Sequence, residues 1–175
     1  MKRNWHRIFG AMLAIYFQDT PVEVETEIDL SIKQQFLDVI LLHKTQATID
    51  KELPDGLEDL SEYNLITFKS FRESLTDWSI HELIGHYVNY RKQISIHDEE
   101  LGEDVMPPES QFQLFAMSAM YPQKLLAQES FETVSQGVYD IRRGRLKIRI
   151  VVFSRLPPEE RNAYLLLFSG QVQQV

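Results

Sequence analysis

No cysteine occurs in the 175 residues. That excludes a disulfide scaffold, a thiol nucleophile and any zinc or iron–sulfur site built on thiolates, and it fits a reducing cytoplasm. No run of about 18 apolar residues is present, so no membrane span is expected. The N-terminal stretch Met1–Gly10 is a poor signal peptide, because His6 and Arg7 interrupt its apolar residues and no small-residue cleavage site follows. Internal repeats and low-complexity tracts are also lacking. Positive charge is the scarcer sign: 18 Lys and Arg stand against 26 Asp and Glu, for a net charge of −8.

The net charge at first argues against a nucleic-acid partner. Its distribution weakens that argument. Residues 50–62 carry six acids and one base (−5), and residues 98–109 carry six acids and no base (−6), which leaves +3 for the remainder. Two loop-like stretches therefore dominate the sum, and the sum describes no single face. Length and a 43% hydrophobic fraction suit one domain, residues 1–175, with a core that needs no staples.

Periodicity outlines the elements. Trp5, Ile8, Phe9, Met12, Leu13 and Tyr16 form one helical stripe closed by Pro21. Residues 22–29 alternate strictly, with Val22, Val24, Thr26 and Ile28 facing one way and Glu23, Glu25, Glu27 and Asp29 the other. Residues 30–35 join this strand to a second, Phe36–Leu42, apolar on both faces except at Asp38. Asn64–Lys69 is a third strand. Leu75–Lys92 reads as a helix with Ile80, Leu83, Ile84, Tyr87 and Val88 inward, and Ser74 with Asp77 at capping-box spacing. Gln111–Ala119 reads as a buried strand, and residues 138–141 and 145–153 as a hairpin about Arg143-Gly144. A last helix opens after Pro157-Pro158 and ends near Ser169-Gly170. The order α-β-β-β-α-β-(short helix)-β-β-α predicts an α/β fold with a mixed central sheet flanked by helices.

His81-Glu82-Leu83-Ile84-Gly85-His86 imitates a zinc-protease helix, but its histidines are five residues apart, not four. At about 100° per residue the second ring lies roughly 140° from the first, so one metal cannot take both. Gly85 then reads as a point of close packing.

Two other residues carry more. Asp38 places a carboxylate in a segment otherwise composed for burial, which is costly unless the group is paired or metal-bound. Lys69 ends the third strand, with Leu65 and Thr67 on its face.

An Asp on one strand, a Lys ending the next and a following helix resembles the layout of PD-(D/E)XK nucleases. Asn64-Leu65-Ile66-Thr67-Phe68-Lys69-Ser70, Ser74-Leu75 and Gly85-His86-Tyr87-Val88-Asn89-Tyr90 are similar to recombination-promoting nucleases and putative transposases of that group. The resemblance covers residues 22–92 and implies a restriction-endonuclease-like fold. It implies Mg²⁺- or Mn²⁺-dependent hydrolysis of DNA, with Asp38 as metal ligand and Lys69 polarising the scissile phosphate or the attacking water. Such nucleases often pair to cut two strands, so a homodimer is a further implication. The motif's second carboxylate falls at Thr67, which has no charge. Either another residue supplies it, or the chain is a catalytically impaired nuclease-fold protein acting as a binding or scaffolding module.

Glu27 is a candidate for the missing oxygen. A tight turn at Ile32-Lys33 would set it opposite Asp38, although a strand with one wet face explains the same alternation. Arg142, Arg143, Arg145, Lys147 and Arg149 form a basic hairpin that either tracks a phosphate backbone or balances the acidic loops. No aromatic residue lies within residues 142–152, so base stacking there is not expected.

Overall fold

The chain divides into two units, residues 1–35 and 36–175. The computed structural model describes residues 15, 36–43 and 49–170. The expected first helix, the alternating strand 22–29, the joining residues 30–35 and Glu27 lie outside the described residues.

Among the described residues six strands make one mixed sheet. In chain order its strands are β1 (Val39–Leu42), β2 (Tyr63–Lys69), β5 (Phe112–Ser118), β6 (Phe131–Ser135), β7 (Val138–Arg143) and β8 (Leu146–Val152). Their spatial order is β1-β2-β5-β8-β7-β6. The central trio β2, β5 and β8 is parallel, while β1 and the β7–β6 pair flank it antiparallel. Parallel strands need a long crossover. Between β2 and β5 it contains helix α1 (Asp77–Gln93), and between β5 and β8 it contains helix α2 (Gln123–Gln128), β6 and β7. Helix α3 (Ala163–Leu166) follows β8. The architecture is α/β with a mixed central sheet, as expected. Among the described residues no helix is long and apolar enough to cross a membrane.

Burial on both faces explains the apolar stretches 114–117 of β5 and 150–152 of β8. On one face Leu65, Leu114, Ala116, Ile148, Ile150 and Val152 pack with Ile80, Leu83 and Tyr87 of α1 and with Leu125 and Leu126 of α2. On the other, Ile66, Phe115, Met117, Val138 and Val151 pack with Phe153 and Leu156, covered by Leu57, Leu60, Leu165 and Leu166. The first acidic stretch is therefore a fitted loop and not a solvated tether. Asn64, fully buried, holds its end through hydrogen bonds with Ser61, and also donates to the Leu41 carbonyl of β1.

Several boundaries differ from the sequence expectation. Helix α1 begins at Asp77 under a Thr76 cap, whose hydroxyl accepts from Ser79 N at 3.3 Å while Ser79 Oγ accepts from Thr76 N at 3.4 Å. That reciprocal pair displaces the expected Ser74–Asp77 box. Ile84 is half-buried against the core, but Val88 is exposed. Within the second acidic stretch lies a small hairpin of β3 (Ile96–Asp98) and β4 (Glu103–Val105), whose turn is held by Asp98 Oδ1 accepting from Glu100 N and Leu101 N. The last helix is a 3-10 turn, Glu160–Asn162, followed by the single turn of α3. Strand β6 was not foreseen, because an exposed edge strand has no buried face to impose a pattern.

Glycine matters most at Gly137, between β6 and β7. Its φ is +81°, and a Cβ there would lie 2.9 Å from the backbone of Arg155 and Leu156. Gly85 is the opposite case. A Cβ would meet nothing within 4 Å, so the expected close packing is absent and this glycine only weakens the helix.

Candidate active site

Residue Asp38 lies one step before β1. The antiparallel register pairs Val39 with Ile66, so the next step sets Asp38 across from Thr67. Its Oδ2 accepts from Thr67 Oγ1 at 3.1 Å and from Phe68 N at 2.8 Å. The carboxylate thus satisfies a β2 amide that lies beyond the end of the β1 ladder. Asp38 is exposed, contrary to the expectation of a buried carboxylate. Among the described residues β1 is a four-residue edge strand, and Val39 and Leu42 are exposed as well.

Thr67 is 8% exposed, and its hydroxyl proton is committed to Asp38. It fixes one carboxylate and adds no second. Lys69, half-buried, follows on the same face by strand alternation. It sits beside Ser118 in the β2–β5 ladder, and its carbonyl accepts from Ala119 N at 2.9 Å. Among the described residues neither Lys69 Nζ nor Asp38 Oδ1 has a protein partner. The local result is an anchored carboxylate and an unpaired ammonium on one face of an antiparallel strand pair.

Among the described residues no three His, Asp or Glu side chains converge to hold a metal. Glu27, the expected additional ligand, is outside them. One anchored carboxylate with a free oxygen offers a hard cation a single protein ligand and does not form a protein cage. His81 and His86 stand on a regular helix, and His81 Nδ1 is engaged with Asp77 Oδ2 at 3.3 Å.

The basic hairpin is resolved into separate roles. Register places Lys69, Ser118 and Val152 in one row, whereas Lys147 lies five residues back along β8, about 17 Å at strand rise. Alternation puts Lys147 and Arg149 on the face opposite Thr67 and Lys69. Arg149, 6% exposed, makes a two-pronged pair with Asp140 at 2.9 and 3.1 Å, and Lys147 approaches the same carboxylate at 3.6 Å. Burial pushes the Asp140 carboxyl up, but the Arg149 hydrogen bonds and the two cations outweigh it and hold the group below its ordinary value. Arg143 is clamped by both oxygens of Glu129 and by Asp77, and its hydrogen bonds to Glu129 keep it firmly charged. Of the five hairpin cations, Arg142 and Arg145 are exposed and without a partner among the described residues. Strand periodicity could have separated the two faces, but the partners of Arg143 are Asp77 at the start of α1 and Glu129 just past α2, and have no local signature.

Sequence reasoning did not single out Trp78, Ser118 or Lys124, which border a cleft of about 650 Å³ where β5 ends. Ser118 and Lys124 carry no distinguishing spacing. Trp78 could have been noticed as an aromatic outside the inward stripe of α1.

No family model, curated protein or solved structure matches the chain.

Proposed function

We propose that the protein is a PD-(D/E)XK-like phosphodiesterase that hydrolyses DNA with Mg²⁺ or Mn²⁺. The observation that supports this is the pairing of Asp38 with Thr67 across β1 and β2, with Lys69 two residues on along the same face. In this reading Thr67 and the Phe68 amide orient Asp38, which holds the cation through its free oxygen. Held there, a divalent cation would supply charge neutralisation at the phosphate and a lower pKa for a water. Lys69 places an ammonium beside the phosphate, where negative charge grows as a water oxygen bonds to phosphorus and a P–O ester bond breaks. The setting is the cytoplasm, and two copies acting together would cut both strands.

The neutral hydroxyl at Thr67 favours a second reading, in which the same fold binds a partner without catalysis. Plasmid and linear DNA incubated with and without each cation separate the two. Under the first, wild type cleaves only with the cation, and Asp38→Ala and Lys69→Ala each lose at least about a hundredfold. An inert wild type that also takes up no Mg²⁺ or Mn²⁺ by calorimetry supports the second and refutes the first.

A further inference from the structure

The carboxyl end of β5 opens into the cleft of about 650 Å³ that contains Trp78, Ser118, Tyr121, Gln123 and Lys124. Open α/β sheets place ligands outside the carboxyl ends of their parallel strands. This cleft adjoins the end of β2, because Ser118 is the ladder neighbour of Lys69. Its volume suits a nucleotide-sized occupant.

The lining is unlike the basic hairpin. Trp78 is 69% exposed, at the second position of α1, while the helix buries Ser79, Ile80, Leu83 and Tyr87. It therefore adds almost nothing to the core and presents a large apolar ring to the cleft. Met120, also exposed, borders the same space. Gln123 supplies amide donors and acceptors of the kind that meet base edges. Of the acids on the wall, Asp77 is paired with Arg143 at 2.5 Å, and Glu73 is turned to Ser70, whose Oγ donates to it at 3.1 Å, and keeps its negative charge. The ammonium groups of Lys124 and Lys69 have no protein partner among the described residues, so two cations are available to a phosphate there.

We propose that this cleft receives an unstacked base of single-stranded DNA, with the Trp78 indole as its stacking face and Lys124 beside the adjoining phosphate. The substrate class rests on the phosphodiesterase reading. The single-strand requirement follows from the stacking itself, since a base inside a duplex has both faces covered. The strand would then lead from the cleft along the end of β5 toward Lys69.

The chain has two tryptophans, Trp5 and Trp78, so a Trp5→Phe background isolates the Trp78 signal. Titration with a ten-residue oligo(dT) in EDTA should quench Trp78 fluorescence saturably. By anisotropy of the labelled oligonucleotide, Trp78→Ala should bind about tenfold more weakly, Trp78→Phe should retain most affinity, and Lys124→Ala should bind more weakly with a shallower salt dependence. Absence of saturable quenching, equal affinity of Trp78→Ala, or equal quenching by a blunt duplex of the same length would overturn the inference. Because no metal is present, the result does not depend on cleavage. Duplex cleavage that requires Asp38 but is accompanied by no quenching would remove the cleft proposal and leave the phosphodiesterase reading standing.

Discussion

Asn162 is fully buried and closes the C-terminal segment onto the first acidic loop. Its Oδ1 accepts from Asp55 N at 2.9 Å, and its Nδ2 donates to Asp55 Oδ2 at 2.9 Å and to the Pro157 carbonyl at 3.1 Å. Asp55 is itself only 7% exposed. Asn162→Ala removes all three bonds and leaves an amide, a carbonyl and a carboxylate oxygen short of partners in a place water reaches poorly. Neutral bonds contribute about 1 kcal/mol each and a bond to a charged acceptor about 2, so the variant should lose about 3–4 kcal/mol. That is a large share of the ~5–15 kcal/mol that holds a domain folded. Urea unfolding followed by circular dichroism should show a lower midpoint at an unchanged slope. Asn162→Asp should cost more, since it sets one buried carboxylate against another. A loss below about 1 kcal/mol for Asn162→Ala would refute the claim that this clamp, and not the apolar contacts of Leu165 and Leu166 alone, fastens the segment.

The two glycines discussed above should respond in opposite directions. Gly85→Ala should stabilise the fold by about 0.5–1 kcal/mol, because the helix gains a better former and the side chain meets only open space. Gly137→Ala should cost about 2 kcal/mol or more, from its positive φ together with the 2.9 Å approach to backbone. Thermal melts that move in the same direction for both would contradict the local geometry. The Asp140–Arg149 pair predicts a pH dependence. Asp140 titrates lower in the folded state, so its contribution is complete above the unfolded carboxyl value near 3.9 and is lost as pH falls through the folded value. The stability gap between wild type and Asp140→Asn should be constant from pH 7 to about 5 and should narrow below about 4. A gap that stays constant to pH 2.5 would show that the carboxylate gains nothing from Arg149.

The strands with the strongest composition were legible from the sequence. Tyr63–Lys69, Phe112–Ser118 and Leu146–Val152 are central strands whose middle residues are buried, so apolar residues predominate in them. Helix α1 was legible for a related reason, since one buried stripe imposes its period on 17 residues. Edge elements were not legible. Phe131–Ser135 has no buried face, and the β3–β4 hairpin is set by one Asp98 turn inside a run of acids. At the candidate site, the sequence identified Asp38, Thr67 and Lys69 as residue types, and alternation alone put Thr67 and Lys69 on one face.

What the sequence by itself determined was the α/β class, the central strands and the short list of chemistry-bearing residues. Those follow from local periodicity and from the cost of placing charge among apolar side chains. Tertiary structure decided which charges are free. Asp38 meets Thr67 only through an antiparallel register across an edge, and Arg149 is consumed by a carboxylate on the neighbouring strand. Arg143 is consumed by Glu129, 14 positions away, and by Asp77, 66 positions away. A charge's role depends on the partner that folding brings within about 3 Å, and partners from separate elements leave no mark in the spacing around the residue.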